Sequence, residues 1–514
     1  MSAYGPIYVI DELFIRYYYI TSKIYSIKKG QSYFIGGKLI VKRKKLYLNG
    51  EWIETKEYQE LRSPYNNEVI ANIPVASKED VDQAIRSAER TKKVMRELTA
   101  LERATILENV SNLFQDTLDE CALILANENA KPIKAARGEI ERTIETYRFA
   151  AEEAKRLHGE TVPLDAAKNG KGRIGYTKPE PIGIVGAITP FNFPFNLTAH
   201  KLGPAFAAGN TVVLKPATQT PLSAFKTAEL FEQAGLPKGA LNVVTGGGRT
   251  VGNQIVEDDR LSMITFTGSV PVGLDIKSKV GLKRVTLELG SNAAVIVDDV
   301  NDLDAVVERC VGGAFNFSGQ VCISVQRIFV NEKIYTEFVE KMKSYTEKLV
   351  LGDPRSEKTD VSALINPKEN ERIEEWVDEA VERGATVAMG GTSEDSIYQP
   401  TIILEGDNSL SISCNEVFGP VVLVNLYQSW DEAIEYVNDS QYGLQAGVYT
   451  TDVAKSFDAI ERLEVGGVII NDIPSFRVDN MPYGGVKNSG IGKEGIKYSV
   501  EEMIELKFAS FNLG

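Results

Sequence analysis

Helical periodicity dominates the first third of the chain. Apolar residues recur at intervals of three and four positions over 81–88 and again over 106–114, which is the spacing of one face of an α-helix. Ser77 and Thr99 precede these runs, and each is followed three residues later by an acidic residue, as at a helix N-cap. The pattern predicts two amphipathic helices that begin just after Ser77 and Thr99.

Beyond about residue 181 short β-branched runs alternate with helical ones. Such alternation predicts a parallel sheet whose strands are connected by helices. A second alternating set runs from Ala293 to Asn471, so the sequence predicts two α/β domains with a seam near Glu288. The elements predicted for the first set are strands over Ile182–Ile188, Thr211–Leu214, Leu241–Val244 and Met263–Phe266, a helix over Leu222–Ala234 and a helix after Thr250.

The first 45 residues differ from the rest and are rich in Tyr, Ile and Lys. Asp11, Glu12 and Arg16 interrupt their apolar run, and no small-residue cleavage site follows, so we expect neither a signal peptide nor a membrane span. Two interpretations of this extension stay open: a strand-forming arm, or a mis-assigned start.

The composition is that of an ordinary globular protein, with 43% hydrophobic and 25% charged residues among 514. A chain of this length can build more than one core. The net charge of −14 argues against nucleic acid as a partner, because phosphate binding needs a basic surface, and it also argues against an anionic membrane.

Only four cysteines and two histidines are present, which limits the chemistry of the chain. The cysteines show no repeated spacing, so we expect no disulfide framework and no metal site, and a reducing cytoplasm suits such a chain. With so little histidine, proton transfer is expected to fall to Glu, Lys or Cys. Cys121 and Cys310 lie in helical patterns and should be core residues, whereas Cys322 follows a Gly-Gln-Val turn where a thiol can react.

Four segments carry a family resemblance. They are Thr-Val-Val-Leu-Lys-Pro-Ala at 211–217, Thr-Leu-Glu-Leu-Gly-Ser-Asn at 286–292, Phe-Asn-Phe-Ser-Gly-Gln-Val-Cys at 315–322 and Asn-Glu-Val-Phe-Gly-Pro-Val at 415–421. In this order they resemble the aldehyde dehydrogenase superfamily, over roughly residues 46–514. The resemblance implies an α/β fold with two parallel-sheet Rossmann-like domains and a small β oligomerisation flap, and assembly as a dimer or a dimer of dimers.

The resemblance also implies domain boundaries. These are an atypical extension over 1–45, a cofactor-binding domain over 46–165 and 180–287, a catalytic domain over 288–495, and the flap over 166–179 and 496–514.

Oxidation of an aldehyde to an acid needs a nucleophile, donors for the oxyanion, a hydride acceptor and a base that activates water. The resemblance makes Cys322 the nucleophile, Asn192 with the backbone N–H of Cys322 the oxyanion hole, and Glu288 the base for the thiol or the water. The residue types agree. Two prolines fix the Asn192 loop, and a carboxylate in the apolar run at Glu288 is costly without a task and should have a raised pKa.

Two glycine turns follow predicted strands, at Gly246-Gly247-Gly248 and at Gly268. The second leads into a helix, whose N-terminus offers free N–H groups to a phosphate. Neither matches Gly-x-Gly-x-x-Gly, and either alone would more often be a plain turn. The resemblance makes them cofactor sites, with Lys215 on the adenosine ribose. The residues it implies for cofactor binding are Ile188, Thr189, Pro190, Phe191, Lys215, Thr218, Gly248, Gly252, Phe266, Thr267, Gly268, Ser269, Leu289, Glu416 and Phe418.

Thr218 bears on the choice of cofactor. NAD-preferring relatives carry Glu three residues after the strand-end lysine, and that position is Thr218 here. A carboxylate would repel the 2′-phosphate of NADP, whereas Thr beside Lys215 tolerates it. We therefore expect NADP or NAD as the cofactor, with NADP favoured.

The segment around Cys322 looks most like the lactaldehyde and non-phosphorylating glyceraldehyde-3-phosphate dehydrogenase-type branch, which takes small polar or anionic aldehydes. Arg477 is the candidate substrate residue, because a guanidinium binds phosphate, sulfonate or carboxylate; a solvated loop arginine is the alternative. Relatives that oxidise glyceraldehyde 3-phosphate carry Arg immediately before the nucleophile, and Val321 at that position argues against a phosphorylated substrate.

The sequence thus predicts NAD(P)+-dependent oxidation of a small polar or anionic aldehyde to the free carboxylic acid, through a cysteine thiohemiacetal and thioester. Two alternatives stay open. Glu288 argues against a CoA-acylating enzyme, because such relatives generally lack it. The joint presence of Asn192, Glu288 and Cys322 argues against a catalytically silent, structural member of the family.

Overall fold

Two large sheets flanked by helices organise the chain in the computed structural model, which describes residues 33–35, 38–40 and 42–514. Most of the extension over 1–45, with its two open interpretations, therefore lies outside the described residues. The strands of the N-terminal half are β1 (Tyr33–Ile35), β2 (Lys38–Ile40), β3 (Leu46–Leu48), β4 (Glu51–Ile53), β5 (Glu57–Arg62), β6 (Val69–Val75), β7 (Thr161–Val162), β8 (Arg173–Pro181), β9 (Ile184–Ile188), β10 (Thr211–Lys215), β11 (Leu241–Val243), β12 (Met263–Thr267) and β13 (Arg284–Glu288).

The helices of this half include those that the sequence predicts after Ser77, after Thr99, over Leu222–Ala234 and after Thr250. They are α1 (Lys78–Glu97), α2 (Ala100–Asp116), α3 (Leu118–Glu128), α4 (Ile133–Arg156), α5 (Asn196–Ala208), α6 (Pro221–Gln233), α7 (Asn253–Glu257) and α8 (Val270–Lys279). The capping boxes predicted at Ser77 and Thr99 are confirmed, because each side chain accepts from the backbone N–H three residues on and that residue's carboxylate returns to the cap.

The C-terminal half repeats the alternation of strands and helices. Its strands are β14 (Ala294–Val297), β15 (Arg327–Asn331), β16 (Thr386–Met389), β17 (Ser393–Glu394), β18 (Ile397–Tyr398), β19 (Thr401–Leu404), β20 (Val421–Tyr427), β21 (Tyr442–Gly443), β22 (Gln445–Tyr449), β23 (Gly467–Ile470), β24 (Val486–Lys487), β25 (Gly490–Ile491) and β26 (Ile504–Asn512). Its helices are α9 (Leu303–Phe315), α10 (Tyr335–Thr346), α11 (Pro367–Glu382), α12 (Ser411–Cys414), α13 (Trp430–Asn438), α14 (Val453–Arg462) and α15 (Ile496–Glu502).

The first large sheet has eight strands in the order β25-β13-β12-β9-β10-β11-β3-β4. Its five central strands are parallel, and β25 and β3 join them antiparallel. Every residue of β9, β10 and β12 is buried, which explains why these strands read as continuous apolar runs. Their carboxyl ends therefore meet at one edge of the sheet, where a ligand site is expected in an open α/β sheet.

The second sheet has seven strands in the order β16-β19-β20-β15-β14-β22-β23, all parallel except for the β16–β19 pair. The chain leaves the first sheet at Glu288 and enters the second at Ala294. The α/β fold class with two parallel sheets is confirmed, and Glu288 is the last residue of a buried strand. Cys121 in α3 and Cys310 in α9 are buried, as predicted.

A smaller antiparallel sheet has the order β26-β8-β7. Strand β26 pairs with β8 over their whole lengths, from Ile504 opposite Pro181 to Asn512 opposite Arg173. Helix α15 precedes β26 and does not join this sheet; its Ile496 and Val500 pack in the hydrophobic cluster of the first half. No helix among the described residues is long and apolar enough to cross a membrane.

Candidate active site

A cavity of about 980 Å³ opens at the carboxyl ends of β9, β10, β12 and β13. All fifteen residues that the resemblance implies for cofactor binding line it, and so do Asn192, Glu288 and Cys322. They come from the carboxyl ends of five strands of the first sheet, with the loops that follow them, and from two segments of the C-terminal half. The structure thus brings the predicted site together in one place, while the role of each residue stays a prediction.

The turn before Cys322 is built from strained backbone. Phe317, Ser318 and Gly319 have φ of 48°, 54° and 70°, so three consecutive residues are left-handed. A Cβ at Gly319 would lie 2.0 Å from the carbonyl oxygen of Gly419, so no side chain fits there. The turn therefore packs tightly against the Glu-x-Phe-Gly-Pro segment at 416–420, and this contact fixes the position of the Cys322 thiol.

The sulfur of Cys322 lies 3.0 Å from the hydroxyl oxygen of Tyr483. Burial raises the pKa of the Cys322 thiol to about 11, although the Tyr483 hydrogen bond and the charge of Arg477 act against this. At neutral pH the thiol is therefore mostly protonated, and it needs a base before it can attack a carbonyl.

Asn192 is buried, and its amide faces the nucleophile turn. Its Nδ2 donates to the carbonyl of Gln320 at 3.1 Å, and its Oδ1 accepts from the backbone N–H of Phe193 at 3.1 Å. Both contacts hold the amide in one orientation. Because an amide nitrogen carries two N–H donors, one remains for an oxyanion beside Cys322.

A buried ion pair supports the Asn192 loop from below. Lys131 pairs with Glu139, and both side chains are fully buried. The Nζ of Lys131 donates to the backbone carbonyl of Asn192 at 2.6 Å, while Glu139 accepts from the backbone N–H groups of Phe195 and Asn196 at 2.9 and 3.2 Å. The sequence pattern did not reveal these two residues, because their partners come from distant segments.

The Glu288 carboxylate is buried, and within the described residues neither of its oxygens has a hydrogen-bond partner. It lies against the backbone at Gly484, where an added Cβ would be 3.0 Å from Oε1. Burial and the nearby Glu494 raise the pKa of Glu288 well above its usual value, against the charges of Arg477, Lys201 and Lys493. A buried carboxylate without a partner is costly, which fits a base that awaits substrate or water.

The remainder of the cavity fits a dinucleotide. No side chain of the described residues caps the start of α8, which follows Ser269, so the free backbone N–H groups there are open to a phosphate. Beside this helix end, added Cβ atoms at Gly248 and Gly252 would meet nothing within 4 Å, which leaves room for a ligand. Burial lowers the pKa of Lys215 to about 8.

Glu416 and Phe418 complete the opposite wall of the cavity. Glu416 accepts from the backbone N–H of Ser291 at 3.1 Å, and burial raises its pKa to about 7. A Cβ at Gly290 would lie 2.5 Å from this carboxylate, so the glycine allows the two segments to meet. The ring of Phe418 packs edge-on against Phe191, with 5.7 Å between centroids.

Arg477 does not line this cavity. It packs on Tyr483, whose hydroxyl contacts the sulfur of Cys322. Its guanidinium lies 3.7 Å from the ring centroid of Tyr483 and donates to Glu494 at 2.9 Å. The side chain is only 6% exposed, so the alternative of a solvated loop arginine is wrong. Its buried Nε has no partner among the described residues and can donate to a ligand.

Further charged residues that sequence reasoning missed surround Arg477. Arg142 donates to both oxygens of Asp479, at 2.6 and 3.3 Å, and His200 contacts Asp479 at 2.7 Å. Lys201 binds Glu494 at 3.1 Å. Burial lowers the pKa of His200, which is therefore neutral. The sequence held one signal, since His200 and Lys201 are basic residues in a segment, 196–208, that is otherwise uncharged and mostly apolar.

The comparisons with known proteins agree with this geometry. The model of the aldehyde dehydrogenase family matches residues 52–509, and the chain belongs to this family. The resemblance and the enzyme class inferred from the sequence are therefore confirmed.

Individual relatives cover nearly the whole chain. A 3-sulfolactaldehyde dehydrogenase from Priestia aryabhattai is 49% identical, over 92% of this chain and 99% of its own length. The structure of aldehyde dehydrogenase 21 from Physcomitrella patens, with the reaction product succinate, is similar with a TM-score of 0.90 and 40% identity, over 92% of this chain and 99% of that one. The structure of glyceraldehyde-3-phosphate dehydrogenase GapN from Methanocaldococcus jannaschii, complexed with NADP, is similar with a TM-score of 0.86 and 40% identity, over 89% and 100%.

Proposed function

We propose that the protein oxidises a small anionic or polar aldehyde to the free carboxylic acid, with NADP+ favoured over NAD+. The observation that carries the proposal is the meeting of Cys322, Glu288 and Asn192 in the cavity that also holds the dinucleotide residues. A bound nicotinamide dinucleotide supplies the hydride acceptor, which no side chain can provide.

The side chains have distinct tasks in this reaction. Glu288 takes the proton of the Cys322 thiol, and a sulfur lone pair forms the C–S bond while the carbonyl π pair moves to oxygen. Asn192 Nδ2 and the backbone N–H of Cys322 donate to that oxygen in the thiohemiacetal. Once the thioester has formed and Glu288 has released the thiol proton to solvent, Glu288 takes a proton from water. The water oxygen attacks the thioester carbonyl, the C–S bond breaks with its electron pair returning to sulfur, and the acid is released.

The charge of the cofactor cavity supports the preference for NADP+. One part of the cavity lies at the ends of the neighbouring strands β10 and β11, and it is lined by Lys215, Thr218 and Arg249. Lys215 and Arg249 are cations, and Thr218 adds no carboxylate that would repel a 2′-phosphate. The similar GapN structure is complexed with NADP.

The charges near Cys322 support an anionic substrate. Four cations near Cys322 face three carboxylates, which leaves one positive charge in excess; the cations are Arg142, Arg477, Lys201 and Lys493, and the carboxylates are those of Asp479, Glu494 and Glu288. An anionic group on the aldehyde would compensate this excess, and the unpaired Nε of Arg477 would donate to it. Similar proteins are named for 3-sulfolactaldehyde or were solved with succinate, and both molecules carry an anionic group.

We also propose that the protein assembles with itself. The small sheet exposes the apolar side chains of Leu506 and Phe508, and helix α14 exposes Val453 and Phe457, at 61%, 50%, 69% and 65%. Exposed apolar groups of this size mark contact surfaces. A cytoplasmic location is part of the proposal, since all four cysteines are unpaired.

Light scattering of the purified protein tests the assembly. We expect a dimer or tetramer, and Phe457→Asp should shift it toward the monomer. Leu282→Asp is the matched control, because Leu282 is fully exposed and lies outside both surfaces. A monomeric wild-type protein would refute self-assembly.

The activity is tested by following cofactor reduction with NAD+ and NADP+ in parallel. The aldehydes are 3-sulfolactaldehyde, succinic semialdehyde and glyceraldehyde 3-phosphate, with lactaldehyde and glycolaldehyde as neutral counterparts. Higher kcat/KM for an anionic aldehyde, lost in Cys322→Ala, is the expected result. Addition of CoA with detection of an acyl-CoA product would instead establish the CoA-acylating alternative.

Arg477→Met examines the substrate contact within the same panel. We expect KM to rise for anionic aldehydes and to change little for glycolaldehyde, so the neutral substrate is the internal control. An equal effect on both kinds of aldehyde would show that Arg477 acts on the fold of the site and does not bind the anionic group.

A further inference from the structure

Among the described residues, the hydroxyl of Tyr483 has one hydrogen-bond partner, the sulfur of the proposed nucleophile Cys322. Its Oη lies 3.0 Å from the sulfur of Cys322, and in the described part of the chain it has no other hydrogen-bond partner. Tyr483 is 3% exposed, so water does not replace this contact. A buried hydroxyl is normally satisfied, and here the sulfur of Cys322 alone satisfies it.

The surroundings of Tyr483 decide the direction of the hydrogen bond once the thiol is ionised. The Arg477 guanidinium lies over the phenol ring at 3.7 Å and draws electron density toward the ring face, which makes the O–H a better donor. Burial raises the pKa of Tyr483 well above its usual value, so the hydroxyl keeps its proton and cannot act as a base. It can therefore only donate to a thiolate.

We propose that Tyr483 is a further catalytic residue, whose hydroxyl donates a hydrogen bond to the Cys322 thiolate and enlarges the reactive fraction of the thiol. The proposal rests on Cys322 being the nucleophile of the proposed function. Tyr483 neither gives up nor gains a proton: the thiol proton goes to Glu288, and the sulfur lone pair forms the new C–S bond. The hydrogen bond is strongest while the charge is on sulfur, both before attack and when the thiolate leaves the thioester.

The size of the gain in the reaction rate of the Cys322 thiol can be predicted. The groups that act on the ionisation of Cys322 are Tyr483 and Arg477, which favour the thiolate, and Glu416 and Glu288, which oppose it. A hydrogen bond that lowers the pKa of a thiol by about one unit increases the thiolate about tenfold but reduces its nucleophilicity about threefold. The net gain in rate at neutral pH is therefore about threefold.

The experiment measures alkylation of Cys322 by iodoacetamide as a function of pH. The background is Cys414→Ser, because Cys121 and Cys310 are buried and Cys414 is the other partly exposed thiol. Tyr483→Phe removes one oxygen atom and should move the inflection of the alkylation rate to higher pH by roughly one unit, with about threefold slower alkylation at neutral pH. An unchanged profile, or a shift to lower pH, would overturn the proposal.

Tyr147→Phe is the matched control. Tyr147 is buried and, in the part of the chain that the structure describes, its hydroxyl has no hydrogen-bond partner, so Tyr147→Phe removes a buried hydroxyl that does not contact the nucleophile. Its alkylation profile should equal that of the parent. Incorporation of 3-fluorotyrosine at position 483 keeps the shape and strengthens the donor, so it should move the inflection to lower pH even if Tyr483→Phe folds poorly.

Alkylation requires neither aldehyde nor cofactor. A protein that oxidises no aldehyde in the panel would refute the proposed function while the alkylation profiles still report on Tyr483. If Tyr483→Phe has the alkylation profile of the parent and the protein oxidises aldehydes, only the proposed role of Tyr483 is refuted and the proposed function stands. NADPH binding, followed by its fluorescence, confirms that each variant is folded.

Discussion

The Nζ of Lys131 donates a hydrogen bond of 2.6 Å to the backbone carbonyl of Asn192. The same ammonium lies 3.7 Å from the ring centroid of Phe193 and 4.4 Å from that of Phe317. Phe193 follows Asn192, and Phe317 belongs to the nucleophile turn, so one buried cation contacts both loops that form the proposed oxyanion hole. The relation explains how two segments far apart in the sequence keep a fixed distance.

Lys131→Met should therefore lower kcat and leave nucleotide binding intact. Removal of one oxyanion donor costs about a hundredfold to a thousandfold in kcat, and a displaced Asn192 amide should cost part of this, about tenfold or more. Steady-state kinetics and NADPH fluorescence measure the two quantities. Lys226→Met is the matched control, because Lys226 is a largely buried lysine paired with Glu120 outside the cavity. Unchanged kcat in folded Lys131→Met would contradict the positioning role.

The activity should decrease as the pH is lowered through the pKa of Glu288. Burial and Glu494 raise this pKa well above its usual value, and only the carboxylate form can accept a proton, so activity is lost below the raised pKa and gained above it. In Glu288→Gln we expect kcat to fall at least about a hundredfold and this limb of the pH profile to disappear.

Glu128→Gln is the control for the pH profile. Glu128 is also a buried glutamate, and burial raises its pKa to about 8, but it binds backbone N–H groups at the start of α6 and does not line the cavity. Its variant should keep the low-pH limb. If the limb persists in Glu288→Gln, another group is the base.

The sequence predicted the α/β alternation, both capping boxes and the positions that line the cavity, since each depends on local pattern or on motifs such as the one that ends in Cys322. It did not predict the charges that surround those positions. Arg142 and Asp479 are separated by 337 residues, and Lys201 and Glu494 by 293. Ion pairs of this kind leave no periodicity in the chain, so only the folded structure reveals them.

The nucleophile turn makes a prediction about stability. Gly319→Ala places a Cβ 2.0 Å from the carbonyl oxygen of Gly419 and forces a left-handed conformation on a residue with a side chain. The left-handed conformation alone costs about 1–2 kcal/mol, and the clash adds to it, so we expect a lower melting temperature together with loss of activity.

Gly312→Ala is the matched control for this substitution. Gly312 lies in α9, and an added Cβ would meet nothing within 4 Å. Alanine in a helix is more favourable than glycine by about 1 kcal/mol, so its melting temperature should equal or exceed that of the parent. A Gly319→Ala protein as stable as Gly312→Ala would show that the turn can relax.

The preference between the two cofactors should reverse in Thr218→Glu. Thr218 lies in the same cavity as Lys215, which the family resemblance implies for binding of the adenosine ribose. Two unit charges 4 Å apart repel by about 1 kcal/mol in water and by more in a partly buried site, and a 2′-phosphate carries more than one charge. We expect kcat/KM for NADP+ to fall at least about tenfold, while kcat/KM for NAD+ stays or rises because the carboxylate can accept a hydrogen bond from the 2′-hydroxyl.

Thr218→Gln is the matched control. Its side chain has nearly the size of glutamate but no charge, so it distinguishes electrostatic repulsion from steric crowding. An equal loss for NADP+ in both variants would mean that the side chain acts by its volume, and the electrostatic explanation of cofactor choice would be wrong.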